Sequence, residues 1–121
     1  MVLIAVDDFL FRSKIRATAK AANVEVTFAK TADEMLQLAR TSGASMAIFD
    51  LNSATLAPIE TIAAIKQDPA LSGIHTLGFV SHVDTSSIQA ARFAGADEVL
   101  ARSSFAGNLA VILTAHRTSQ P

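Results

Sequence analysis

The sequence predicts an α/β fold: a flavodoxin-like, doubly wound five-stranded parallel sheet in the order 2-1-3-4-5, with helices on both faces. The first observation behind this is a set of short apolar runs, Val2–Val6, Val24–Phe28, Ser45–Phe49, Thr76–Val80 and Glu98–Ala101. They are rich in β-branched and aromatic residues and mostly do not alternate polar with apolar, as expected of strands covered on both faces. The second is their spacing. Their starts recur after 22, 21, 31 and 22 residues, which is βα spacing with one longer loop in the third unit. The third is the helical punctuation between the runs, and five such units are too few to close an eight-stranded barrel.

Taken in order, the first helix is predicted over about Phe9–Ala22, with Ile15, Thr18, Ala19 and Ala22 on one face. The second opens on Thr31-Ala-Asp-Glu34, a capping box in which Thr31 accepts an amide hydrogen bond and Glu34 reaches back, and it ends near Gly43. The third begins at Pro58, a favoured first helical residue, and stops before Asp68-Pro69, where proline forbids continuation. Asp84 is the predicted N-cap of the fourth helix and Gly95 its stop. The fifth is predicted as one amphipathic helix over about Phe105–Arg117, carrying Leu109, Ile112, Leu113 and His116 on its apolar face. Thr118–Pro121 is predicted to fray.

Composition narrows the function classes. The 121 residues are expected to form one domain, with a core that needs no staple. No cysteine is present, which removes disulfides, thiolate nucleophiles and cysteine-based zinc sites. A net charge of −1 argues against a nucleic-acid binder, and no apolar run reaches the length of a membrane span. Met1–Val6 is too short for a signal-peptide core and is followed at once by Asp7 and Asp8, so a cytoplasmic protein is expected.

In a doubly wound sheet the site lies beyond the carboxyl ends of the strands. There stand Asp7 and Asp8 after the first strand, Asp50 and Asn52 after the third, Ser81 after the fourth and Arg102 after the fifth. The first and third strands are expected neighbours, so three carboxylates should converge. Three such charges repel unless a cation sits among them, and hard oxygen ligands select Mg²⁺. Ser81 and Arg102 opposite would complete a site able to hold a phosphoryl group. A Ser81-His82-Asp84 triad is rejected, because successive strand-end residues point to opposite faces. His75 and His116 have no ligand-spaced partner, so zinc is not expected.

The set Val6-Asp7-Asp8-Phe9, Phe49-Asp50-Leu51-Asn52, Val80-Ser81 and Ala94-Gly95-Ala96-Asp97 followed by a cation resembles bacterial response-regulator receiver domains. The resemblance is nearest to the single-domain chemotaxis type and covers about Val2 to Arg117. It implies a two-component signalling role: Asp50 as the aspartate phosphorylated by a histidine kinase or phosphotransfer protein in a phosphorelay. It also implies Mg²⁺ on Asp7, Asp8, Asp50 and the Asn52 carbonyl, Ser81 as the switch hydroxyl, and Arg102 in place of the usual lysine. Output would pass to a downstream protein through the fourth helix, fifth strand and fifth helix, with a homodimer as one possible arrangement.

The chain departs from the family pattern in its read-out. Ser53 and Ala54 replace Met-Pro, Pro58 stands where a glycine is usual, Ser103 replaces proline after the cation, and Val99 replaces the switch aromatic. Three readings follow. One is an active phosphoacceptor. Another is a degenerate receiver acting as a constitutive docking module. The last is an FMN binder, against which stands the acidic Asp7-Asp8-Phe9-Leu10 turn, where a phosphate needs amide donors, and the lack of Trp and Tyr. None of these is expected to turn over a small molecule. Arg102, longer and forked, is expected to reach Asp50 directly and lower its pKa, and the Arg102–Ser103 peptide is expected to be trans.

Overall fold

A computed structural model describes residues 1–81 and 84–115; His82, Val83, His116, Arg117 and the expected frayed end at Thr118–Pro121 lie outside the described residues. The strands are β1 (Val2–Ala5), β2 (Val26–Phe28), β3 (Met46–Asp50), β4 (His75–Val80) and β5 (Glu98–Ala101). They form one parallel sheet in the order β2-β1-β3-β4-β5, as the sequence predicts. The helices between them are α1 (Phe9–Ala22), α2 (Ala32–Thr41), α3 (Pro58–Gln67) and α4 (Thr85–Ala94).

Strand alternation splits the core in two. Val2, Ile4, Met46, Ile48, Leu77 and Phe79 point to the face covered by Phe11, Ile15 and Ala19 of α1 and by the C-terminal helices. Leu3, Ala5, Ala47, Phe49 and Val80 point to the other face, under α2, α3 and α4. Both faces are therefore apolar, and the central strands β1, β3 and β4 are buried almost throughout. Gly78 sits where a Cβ would meet the Leu51 side chain at 2.8 Å, so the residue after Asp50 can fold over β4 only because position 78 has no side chain.

The caps follow the sequence closely. Thr31 Oγ1 accepts from Glu34 N (3.0 Å), while Glu34 reaches back one residue beyond the cap, to Lys30 N. Asp84 caps α4 through Ser87 N, and Gly95 closes it at φ 104°. Pro58 opens α3, preceded by Ala57 in the left-handed region at φ 42°.

The expected single fifth helix is a misreading. The chain turns helical at once after β5, as α5 (Arg102–Gly107), breaks at Asn108 (φ −120°, ψ 23°), and resumes as α6 (Leu109–Thr114). Gly107-Asn108 is a weak helical pair, and the Asn108 amide donates back to Ser104 O, competing with the helical ladder. All peptide bonds among the described residues are trans, Arg102–Ser103 included.

Candidate functional site

The site is the carboxyl edge of β1, β3 and β4 with the first turn of α5. Asp50 ends β3 on the α1/α5 side and is almost wholly buried. Its Oδ1 accepts from Asn52 N (3.0 Å), the geometry of a turn that folds the backbone around its own carboxylate. Asp8 is the N-cap of α1, accepting from Phe11 N (3.1 Å) through Oδ1. Its other oxygen, Oδ2, lies 3.5 Å from Arg102 Nη1, and Arg102 Nη2 lies 3.5 Å from Asp50 Oδ2. One guanidinium therefore spans the carboxylate that caps α1 and the one that ends β3.

Arg102 is held from below by aromatic rings, which sequence reasoning did not anticipate. Its guanidinium carbon is 4.9 Å from the Phe11 centroid and 5.5 Å from that of Phe79. Those rings belong to a trio: Phe79 stacks on Phe105 at 4.4 Å, and Phe11 meets Phe79 at 5.0 Å and Phe105 at 5.5 Å. The sequence signal was the recurrence of Phe at 11, 79 and 105 on the face that strand parity assigns to α1 and α5.

Asp7 goes elsewhere. Its Oδ2 accepts from Ser53 Oγ and Thr55 Oγ1, both at 2.9 Å, so it ties the β1–α1 turn to the β3–α3 loop. Asn52 is a second tie: its Oδ1 accepts from Ser81 N (2.9 Å) and its Nδ2 donates to Asp84 Oδ2 (2.9 Å). The hydroxyl chosen from sequence, Ser81, thus stands on a backbone amide pinned to the β3–α3 loop. Val99 is half-buried and packs against the α2/α3/α4 core.

Three site residues chosen from sequence come together, Asp8 and Asp50 each meeting Arg102; Asp7 faces a different loop. Among the described residues no three carboxylates or imidazoles gather where they could hold one ion. The carboxylates expected to hold Mg²⁺, Asp7, Asp8 and Asp50, are turned to partners within the protein. The donors are the hard oxygens such an ion takes, but Asp7 has turned to two hydroxyls, and the guanidinium lies between the other two carboxylates.

The electrostatics also correct one expectation. Burial pushes the Asp50 carboxyl above its ordinary range; the Asn52 amide and Arg102 pull the other way without prevailing. Arg102 was expected to lower this pKa outright, but it meets Asp50 at the outer limit of contact and shares itself with Asp8. Asp8, capped by Phe11 N and paired with Arg102, is held below the usual carboxylate range.

No protein-family model and no curated protein matches the sequence. Solved structures do match the fold. A response regulator from Hahella chejuensis is similar with TM-score 0.84 and 18% identity, covering 97% of this chain and 94% of its own. A response regulator from Burkholderia multivorans matches with TM-score 0.74 and 26% identity, covering 99% and 97%. The Mn²⁺-bound form of the response regulator Rcp1 matches with TM-score 0.77 and 14% identity, covering 98% and 96%. The fold is that of response-regulator receiver domains, carried by a divergent sequence.

Proposed function

We propose that this chain, built on the receiver fold, is a signalling module that works by protein–protein contact and is held in one state by Arg102. The observation that carries the reading is the guanidinium placed between Asp8 and Asp50, 3.5 Å from each. The positive charge that an acidic receiver pocket needs is then supplied by the chain itself. Three features support a fixed state: Asp7 is engaged by Ser53 and Thr55, Asn52 joins two loops, and Val99 offers no large ring to reorient. This is the degenerate-receiver reading: partners bind a constant surface rather than one switched by phosphate.

A second reading, Asp50 as phosphoacceptor, is favoured by one observation: Asp50 is the buried carboxylate of the edge, and only its Oδ2 faces the guanidinium. Displacing Arg102 would leave that oxygen free to attack a phosphohistidine, forming the acyl phosphate as the P–N bond breaks. The test separates the two. Wild type and Arg102→Lys are incubated with acetyl phosphate and Mg²⁺, and intact mass is read for one base-labile phosphate. The first reading expects no label on wild type and a gain in the lysine variant that Asp50→Asn abolishes. Prompt labelling of wild type would transfer the proposal to the second.

A further inference from the structure

The outer side of α1 concentrates charge of one sign. The helix holds Arg12, Lys14, Arg16 and Lys20, four of the chain's ten Lys and Arg, and none of its eleven Asp and Glu. A chain of net charge −1 is therefore positive along this helix and negative elsewhere. Helix stability does not call for the pattern. Acids are favoured in a first turn and α1 has none there, while like charges four residues apart, as at Arg12 and Arg16, repel. What holds those two is Phe28 of β2, whose ring centroid lies 5.4 Å from the Arg12 guanidinium carbon and 4.6 Å from that of Arg16. None of the four cations makes an ion pair among the described residues. The acids just before the helix are engaged within the protein, Asp8 by Phe11 N and Arg102, Asp7 by Ser53 and Thr55.

A second, independent observation is apolar. Phe9 and Leu10, adjacent in the first turn of α1, are 75% and 79% exposed. Helical geometry turns them away from Phe11, Ile15 and Ala19, the residues that α1 buries, so they stand on the outward ridge of the helix. Arg12, Arg16 and Lys20, each four residues on from the last, run along one flank of that ridge, and Lys14 stands on the other. An apolar tip with cations on both flanks is the pattern of a helix that lies in a membrane interface, its aromatic and leucine side chains inward and its cations at the headgroups.

We propose that α1 attaches this chain to the surface of an anionic lipid bilayer, with Phe9 and Leu10 at the acyl boundary and the four cations on the lipid headgroups. The helix lies on the bilayer and does not cross it: among the described residues no helix is long and apolar enough to span a membrane. Charge complementarity selects an anionic partner, and the shape of the surface selects a bilayer over an acidic protein. A protein interface places large anchors in fitted pockets at its centre. Here two large apolar side chains stand at one end of a convex ridge, and a fluid bilayer closes around them without a fitted pocket. The proposal does not rest on the state of Asp50, because it uses the side of α1 that faces away from the carboxylate edge.

The test is co-sedimentation of the full chain with vesicles of phosphatidylcholine alone and of a phosphatidylcholine–phosphatidylserine mixture, with soluble polyglutamate as a competitor. The chain is expected to sediment with the mixed vesicles at low salt, to stay in solution with phosphatidylcholine alone, and to be released as salt screens the cations. Lys14→Gln and Lys20→Gln should each weaken binding about fivefold. Phe9→Ser with Leu10→Ser should weaken it about tenfold, through lost apolar contact and with no change in charge. All four positions are exposed, so the variants keep the fold, which their unfolding curves check. No sedimentation with mixed vesicles at low salt, equal sedimentation with both kinds, or binding unchanged by Phe9→Ser with Leu10→Ser would overturn the proposal. Polyglutamate that binds the chain more tightly than the mixed vesicles do would also overturn it, and would assign the helix to an acidic protein.

Discussion

The two ends of the sheet handle their charges in opposite ways. At the amino edge of β4 and β5, Lys66 Nζ sits 2.7 Å from Asp97 Oδ2 and also donates to Ser72 O and Ile74 O. The same Asp97 oxygen accepts from Thr76 N at 2.8 Å, and His75 Nε2 meets Glu98 Oε1 at 2.6 Å. At the carboxyl edge, Arg102 reaches its two carboxylates only at 3.5 Å, its Nε is unpaired, Asp50 is buried, and Ala57 takes a left-handed backbone without being glycine. The amino edge is a satisfied network that fixes where β5 joins the sheet. The carboxyl edge retains unfavourable terms that packing does not require, and such terms gather where a protein acts.

The comparison can be sharpened by mutation. Asp97→Ala should have the largest effect: it strips Lys66 and two Thr76 donors of their acceptor at once. Even discounted for a carboxylate about a third exposed, it should cost about 2 kcal/mol in urea unfolding. Ala57→Gly should act in the other direction, raising stability by up to about 1 kcal/mol by relieving the left-handed backbone at φ 42°. Asn52→Ala removes two hydrogen bonds that are exposed to water, so a loss of only about 0.5–1 kcal/mol is expected, with amide shifts at Ser81 and Asp84.

Asp50 at one edge and Asp97 at the other should also differ in the sign of their pH dependence. Burial raises the Asp50 carboxyl above 3.8, so the folded protein holds that proton longer than the unfolded chain. Its contribution therefore worsens as pH rises from about 3.8 through the native value and is absent below 3.8. For Asp97, burial alone would raise the pKa, but Lys66 and the Thr76 donors outweigh it and the net shift is downward from 3.8. Its contribution is present above 3.8 and is lost as pH falls through the native value. Unfolding curves across acid pH should show Asp50→Asn removing a stability decline with rising pH and Asp97→Asn removing a gain. The same sign in both variants would erase the distinction between the two carboxylates.

Much of this architecture was legible in the sequence because it rests on local chemistry. The β-branched runs, Thr31, Pro58, Asp84 and Gly95 each specify a strand or a helix end through their own backbone preferences, and strand order then places Asp8, Asp50 and Arg102 on one edge. What escaped depends on side chains that meet across long sequence separations. Asp7 finds Ser53 and Thr55, more than forty positions away, and no spacing rule distinguishes that from turning toward Asp50. The break at Asn108 was masked by an apolar periodicity that runs on through it, although Gly107-Asn108 carried the signal. The aromatic seat under Arg102 needs three Phe residues from three elements to stack, a matter of packing rather than pattern.

On the function proposed above, Arg102 supplies the positive charge between Asp8 and Asp50 in place of an ion. The direct measurement is thermal unfolding of wild type, Arg102→Lys and Arg102→Ala with and without millimolar Mg²⁺ or Mn²⁺. No metal-dependent rise in Tm is expected for wild type, and a rise is expected for Arg102→Ala, lost again when Asp8→Ala is added, with Arg102→Lys between them. A rise in wild type as large as in Arg102→Ala would contradict it, because the guanidinium would then be no barrier to the ion.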